Sequence, residues 1–183
     1  MQRMKGKVIA VTGGAGGIGG ATVQRLLLEG ARVAFCDNDA RKGTAFADQL
    51  GTEDAFFVQT DVSNEREAAA FISEAVTRYG RLDGLVNNAG IRNYEDVTQA
   101  SEESWDRILG VNLKGYAFCA KAAIPAMRNS GGGAIINLAS VRSLVAGEKC
   151  VQYDTTKAAI LGLTRSMARD HAKDNVRVMA VGP

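Results

Sequence analysis

A single α/β domain built on a doubly wound parallel sheet is the fold that this sequence predicts, and two observations carry the prediction. Short apolar runs of five or six residues alternate with stretches of helical periodicity from one end of the chain to the other. The first of these runs, Lys7–Val11, opens into the turn Thr12-Gly13-Gly14-Ala15-Gly16-Gly17-Ile18-Gly19, and the amphipathic stretch Gly20–Leu28 follows. Glycine serves such a strand–turn–helix junction in three ways: the chain reverses through positive φ, a ligand approaches the backbone, and the helix packs closely on the strand. The uncapped helix N-terminus favours an anion, and its default occupant is the pyrophosphate of a dinucleotide. Three glycine registers fit: Gly14, Gly16 and Gly19; Gly13, Gly16 and Gly19; or Gly13, Gly17 and Gly19. The glycines alone do not choose among them. A flexible surface loop is the competing reading, and the strand before and helix after speak against it.

The next elements extend the alternation. Arg32–Cys36 is the second strand, and Asp37 ends it eighteen residues beyond Gly19. A carboxylate there accepts hydrogen bonds from ribose hydroxyls and repels a 2′-phosphate. Asp37-Asn38-Asp39 is also good turn chemistry, so a capping role competes. Thr44–Leu50 continues a helix, Gly51–Asp54 breaks it, and Ala55–Gln59 forms a third strand that delivers Thr60-Asp61-Val62. Ser63 is the expected N-cap of the helix that runs through Ala68–Tyr79 to Gly80.

Leu82–Val86 is a fourth strand ending in Asn87-Asn88-Ala89-Gly90, at the strand end where an open parallel sheet binds ligands. Ser101–Asp106 opens a long helix that continues past Asn112 to about Met127. Asn112 either faces solvent or makes one specific hydrogen bond, and the pattern does not decide. Ser130–Gly133 ends that helix, and Ala134–Leu138 delivers Ala139-Ser140. Tyr153–Ala172 is helical and Val176–Val181 is a sixth strand, followed by Gly182-Pro183.

Composition narrows the function. With 183 residues, 46% hydrophobic and 23% charged, the chain is ordinary globular protein. Its 22 basic and 20 acidic residues are scattered and leave a net charge of +2, so nucleic acid is not an expected partner. No apolar run reaches membrane-spanning length and the first strand starts too early for a signal peptide, so the expected location is the cytoplasm with no membrane partner. Cys36, Cys119 and Cys150 are far apart and His171 is the sole histidine, which leaves neither a zinc site nor a Ser-His-Asp hydrolase. No metal is expected, and His171 reads as a surface residue near a helix end.

Tyr153 and Lys157 are four apart on one helical face, with Ser140 thirteen residues before the tyrosine at a strand end. A tyrosine and lysine on a solvated helix face is the plain alternative. The chemistry of the trio favours function. Hydride transfer to a carbonyl creates an alkoxide that needs a proton, and the reverse reaction needs a base. A phenol titrates near pH 10, and a neighbouring ammonium lowers it at roughly 1.4 kcal/mol per unit. Ser140 is placed to donate a hydrogen bond to the carbonyl oxygen.

These residues resemble the short-chain dehydrogenase/reductases of the shorter, single-domain type, and the resemblance runs over nearly the whole chain. Thr12-Gly13-x-x-x-Gly17-Ile18-Gly19 looks like the family's cofactor turn, Asn87-Asn88-Ala89-Gly90 like its strand-stabilising motif, and Ser140 with Tyr153-x-x-x-Lys157 like its catalytic set. The resemblance implies a Rossmann-type sheet and the third glycine register. It matches Asn112 to the asparagine that helps hold a water in the proton relay to the lysine. It also implies that Lys157 and Tyr153 meet the nicotinamide ribose, that Asp61-Val62 contacts adenine, that Asn88, Ala89, Gly90 and Pro183 border the cofactor, and that Asp37 occupies the acidic position of NAD-preferring members. A small-molecule alcohol or ketone is the implied substrate, and a homo-oligomer, dimer or tetramer, the implied assembly.

Family members continue for several dozen residues past the segment that Pro183 resembles. Residues 1–183 are therefore expected to form one dinucleotide-binding and catalytic domain with six strands, lacking a seventh strand and the substrate lid. The expected function is hydride transfer between NAD and a secondary alcohol or ketone. The alternative is an NAD-binding fragment or redox-sensing nucleotide-binding protein without turnover. A sugar-nucleotide epimerase fits the Asn87–Gly90 turn less well. Arg92 and Arg142, close to the fourth-strand turn and to Ser140, are candidates for pairing with a substrate carboxylate, against the plain reading of solvent-facing arginines.

Overall fold

The structure is a computed structural model and describes residues 2–183. Six parallel strands run β1 Val8–Thr12, β2 Arg32–Asp37, β3 Ala55–Gln59, β4 Gly84–Asn87, β5 Gly133–Leu138 and β6 Val176–Val181. They lie in the order β3-β2-β1-β4-β5-β6. The chain moves outward from β1 to β3, then returns to the other side of β1 for β4. The crevice between the carboxyl ends of β1 and β4 is the topological switch point.

β1 is buried along its whole length, as befits a central parallel strand covered on both faces. Period-two alternation divides its side chains. Ile9 and Val11 pack with Val23 of α1 (Gly17–Leu28) and with Val33 and Phe35. On that side Phe46 of α2 (Ala40–Leu50) meets the Phe35 ring edge-on, 5.5 Å between centroids. Val8 and Ala10 face the larger core, with Phe71 and Ile72 of α3 (Glu65–Tyr79) and Cys119, Ala123 and Met127 of α5 (Gly115–Asn129). Met167 of α6 (Val151–His171) closes it. β6 is an edge strand that alternates: Val176 and Val178 are buried while Met179 and Val181 stay open on one face.

Two local readings are corrected. The N-cap of α3 is Asn64, whose side chain accepts from the Arg66 and Glu67 amides, and not Ser63. Ser63 instead donates both its amide and its hydroxyl to Asp61 Oδ1, at 2.9 and 2.7 Å, which forms the turn that precedes the cap. The long helix expected from Ser101 to Met127 is not uniform. It consists of α4 (Glu102–Leu109), a π-helical turn over Gly110–Lys114, and α5. The π turn lies where the helix approaches the turn after β3 closely: a Cβ at Gly110 would stand 3.3 Å from Ser63 Cβ, and one at Gly115 would stand 2.9 Å from Val62 Cγ2. The widened turn sits between these two close approaches and buries Asn112 completely.

Candidate active site

The glycine turn and the Asn88-Ala89-Gly90 turn are locked together. Thr12 Oγ1 accepts from the amides of Asn88 and Ala89, both at 3.0 Å, and Asn88 Nδ2 donates to the carbonyls of Thr12 and Gly13, both at 2.9 Å. The backbone at Gly13 (φ 61°) and Gly17 (φ 54°) lies in the left-handed region. Gly19 has no room for a side chain, since a Cβ there would meet Gly13 O and Asn88 Nδ2. Gly16 is extended and open. Backbone conformation thus calls for glycine at Gly13 and Gly17, and lack of room calls for it at Gly13 and Gly19. Gly14 is also tight, against Phe35. Gly16 caps α1 without a side-chain bond, so the first amides of that helix face the crevice.

From Gly13 the crevice leads to a small cleft of about 110 Å³ lined by Asp37, Asn38, Thr60, Asp61, Val62, Ala89 and Gly90 among others. It presents two carboxylates and no cation. Asp37 accepts from the Ala15 amide at 3.4 Å and from the Asp39 amide at 3.2 Å, so it steadies the glycine turn while it borders the cleft. Asp39, not Asp37, caps α2 by accepting from the Lys42 amide. Asp61 Oδ1 is engaged by Ser63 and the Val62 side chain is buried against the core, while both residues line the cleft.

At the other end a cavity of about 370 Å³ brings together Ile18, Asn88, Gly90, Ile91, Arg92, Ser140, Tyr153, Lys157 and Pro183. Lys157 is 4% exposed; its ammonium lies 5.6 Å from the Tyr153 ring centroid and donates to Leu138 O at 2.6 Å and to Tyr116 Oη at 3.4 Å. Burial pushes its pKa down to about 8. Burial pushes the Tyr116 phenol the other way, well above its ordinary value. Ser140 is held against α6 by Ser143, whose hydroxyl accepts from the Ser140 amide (3.3 Å) and donates to Lys157 O (2.7 Å). Pro183 O accepts from the Val141 amide, which keeps Pro183 beside Ser140. Arg142 does not line the cavity and packs on Gly147 instead.

Asn112 resolves as a specific hydrogen bonder. Its Oδ1 accepts from the Ile91 amide at 2.8 Å, and its Nδ2 donates to Ile91 O at 2.9 Å and Thr156 Oγ1 at 3.3 Å. Its side chain clamps the cavity wall to α6.

Several contributors carried little signal in the sequence. Tyr116, Ser143 and Thr156 each act through a hydroxyl that donates one hydrogen bond and accepts another, at positions that otherwise read as ordinary helix or loop. Asn87 donates to Asn137 across adjacent parallel strands, and Asn137 donates to Thr164, which ties β4, β5 and α6 together in the buried interior. Two asparagines each near a strand end were the available clue. Gln152 is fully buried and donates to Glu95 and Ser104, which fixes the start of α6 to the loop after β4.

The family described as short chain dehydrogenase matches residues 7–183. This chain belongs to that family. The short-chain dehydrogenase is 41% identical over 183 residues to 2-(S)-hydroxypropyl-CoM dehydrogenase 3 of Xanthobacter autotrophicus, covering 99% of this chain and 72% of the relative. It is 38% identical over 181 residues to 3-alpha-(or 20-beta)-hydroxysteroid dehydrogenase of Mycobacterium tuberculosis, with 99% and 69% covered. A crystal structure of 3-ketoacyl-(acyl-carrier-protein) reductase from Brucella melitensis complexed with NADH superposes with a TM-score of 0.94 at 30% identity, over 98% of this chain and 75% of that one. The chain is an oxidoreductase of this family, and none of its described helices is long and apolar enough to cross a membrane.

Proposed function

We propose that this short-chain dehydrogenase moves a hydride between NAD and a secondary alcohol or ketone, with Tyr153 as the general acid/base. The observation that carries the reading is the convergence of Ser140, Tyr153 and Lys157 on one cavity at the switch point. A dinucleotide fits the residues present: a glycine cradle that a Cβ would fill, an uncapped helix N-terminus and a carboxylate at the end of β2. NAD, when bound, supplies the hydride acceptor or donor. Gly13, Gly17, Ile18 and Gly19 hold its pyrophosphate, Asp37 the adenosine ribose, Asp61-Val62 the adenine edge, and Ala89, Gly90 and Pro183 border it. Asn88 acts one step removed, by shaping the glycine turn.

In reduction the Tyr153 phenol gives its proton to the carbonyl oxygen; in oxidation the phenolate takes the proton from the carbinol hydroxyl. Ser140 donates a hydrogen bond to that oxygen, and the Lys157 ammonium stabilises the phenolate and reaches the nicotinamide ribose. Asn112 positions Ile91 and so the wall facing the substrate.

The same reading makes NAD the preferred cofactor over NADP. A 2′-phosphate about 4 Å from Asp37 would be repelled by roughly 1 kcal/mol in water and about 4 at an effective dielectric of 20. Lost hydroxyl–carboxylate bonds add roughly 1.5–3 kcal/mol, so even a partial sum gives a preference of about tenfold or more. Residues 1–183 work as one dinucleotide-binding and catalytic domain. A cytoplasmic setting is supported by three buried, unpaired cysteines, and a homo-oligomer by the family resemblance. The test is to mix the protein with NAD and a panel of secondary alcohols, and with NADH and matching ketones, while following the reduced-nicotinamide absorbance. Turnover with NAD at a kcat/KM at least tenfold above that with NADP is expected. Absence of turnover on every pair, or a preference for NADP, would overturn the reading.

A further inference from the structure

The catalytic cavity has a charge of its own. Its lining includes two cations, Arg92 and Lys157, and no carboxylate. Lys157 already donates to Leu138 O and Tyr116 Oη. Arg92 forms no ion pair within 4 Å among the described residues, and its one side-chain hydrogen bond goes to the thiol of Cys150, a weak acceptor, at 3.0 Å. Its guanidinium nonetheless lies over two aromatic rings, although Arg92 and Tyr94 are both exposed. It stacks 4.5 Å from the Tyr94 ring centroid and 5.4 Å from that of Tyr153, which sets a planar, permanently charged fork beside the acid/base. On its far side Arg92 walls a second pocket with Glu95 and Glu103. Glu95 already accepts from Asn93, Ser104 and Gln152, and Glu103 is exposed.

We propose that Arg92 makes this a dehydrogenase for substrates carrying a carboxylate, hydroxy acids and their keto acids, with the guanidinium taking the carboxylate while Ser140 and Tyr153 take the reacting oxygen. The proposal rests on the hydride-transfer reading for its chemistry but not for its binding site. Stacking on two aromatic faces lowers the ordering cost of a long side chain, so the fork meets the anion already oriented. The ring of Tyr153 is one of those faces. A carboxylate on Arg92 therefore sits in the same cavity as the phenol that takes the reacting oxygen. Arg142, outside the cavity, takes no part.

The test separates the two ideas. Binding to the protein saturated with NADH is measured by ligand-observed NMR for 2-methylpropanoate and for its uncharged isostere 2-methylpropanamide. Oxidation of 3-hydroxybutanoate and 3-hydroxybutanamide with NAD is measured alongside. Arg92 is expected to favour the acid of each pair by about tenfold or more, the value of charge-assisted hydrogen bonds. Arg92→Gln should remove that preference and Arg92→Lys keep part of it. Equal binding of acid and amide, no measurable binding of the acid, or a preference that survives in Arg92→Gln overturns the proposal. A charge preference in binding without turnover of either alcohol leaves the anion site standing and counts against hydride transfer. Turnover without charge preference does the reverse.

Discussion

At the residue scale Lys157 is the informative group, because its burial works against stability while its charge serves the site. Its pKa falls from the ordinary lysine value of 10.5 to about 8, so between those values the folded chain binds fewer protons than the unfolded one. Stability from this group therefore rises as pH climbs from about 8 to 10.5, and below about 8 the full cost of a buried ammonium is present, on the order of 3 kcal/mol. Lys157→Met is expected to abolish turnover yet raise the Tm at neutral pH, with the gain fading above about pH 10.5. Thermal melts across that range check it, and a gain that does not depend on pH would refute it. Tyr116 is the neighbour whose hydroxyl accepts from this ammonium. Tyr116→Phe should move the alkaline limb of the kcat/KM profile to lower pH at a stability cost of about 1 kcal/mol. An unmoved limb would confine Tyr116 to packing. Spacing puts Tyr153 and Lys157 on one helical face, and it is the chemistry of the trio with Ser140 together with the family resemblance that singles them out. Tyr116 was not legible, because a tyrosine on the apolar face of a helix reads as core, and the partner of its hydroxyl is set by tertiary packing.

At the scale of elements the sheet was legible almost to the residue, because buried parallel strands appear as short continuous apolar runs between glycine and polar breaks. The helix from Ser101 onward reads as regular since no local propensity marks a π turn; the turn lies where Gly110 and Gly115 come close to Val62 and Ser63, a contact between distant segments. The N-cap of α3 slipped by one residue for a similar reason, since Ser63 and Asn64 both cap well and only the claim of Asp61 on Ser63 decides between them. The glycine turn supplies the sharper test. Gly19→Ala would drive a Cβ into Gly13 O and Asn88 Nδ2, both tied into the joint with the fourth-strand turn. Overpacking of this kind costs roughly 1–3 kcal/mol or more, and NADH affinity should fall with it. Gly16→Ala meets open space in extended backbone and should melt like the parent. Melts paired with NADH fluorescence titrations check both. A Gly16→Ala variant as impaired as Gly19→Ala would point to one of the other two glycine registers, both of which use Gly16.

Across the whole molecule the crevice is polarised: the cleft at the adenosine end carries Asp37 and Asp61 without a cation, and the cavity at the reacting end carries Arg92 and Lys157 without a carboxylate. One topological feature places both, the reversal of strand order between β1 and β4. Asp37→Ala is expected to narrow the NAD-over-NADP ratio mainly by weakening NAD, since no cation lines that cleft to receive a 2′-phosphate; a ratio left unchanged in kcat/KM would remove Asp37 from cofactor choice. The rival account, a chain that binds the dinucleotide without turning it over, shares the crevice but needs no proton transfer by Tyr153. The decisive comparison is therefore Tyr153→Phe against the parent, with NADH binding followed by fluorescence and turnover by reduced-nicotinamide absorbance on the same preparations. The account expects NADH affinity within about twofold of the parent, because the phenol contributes little to cofactor binding, and a loss of turnover of about a hundredfold or more, the scale of a general acid/base. Turnover retained at near-parental rates in Tyr153→Phe would contradict it.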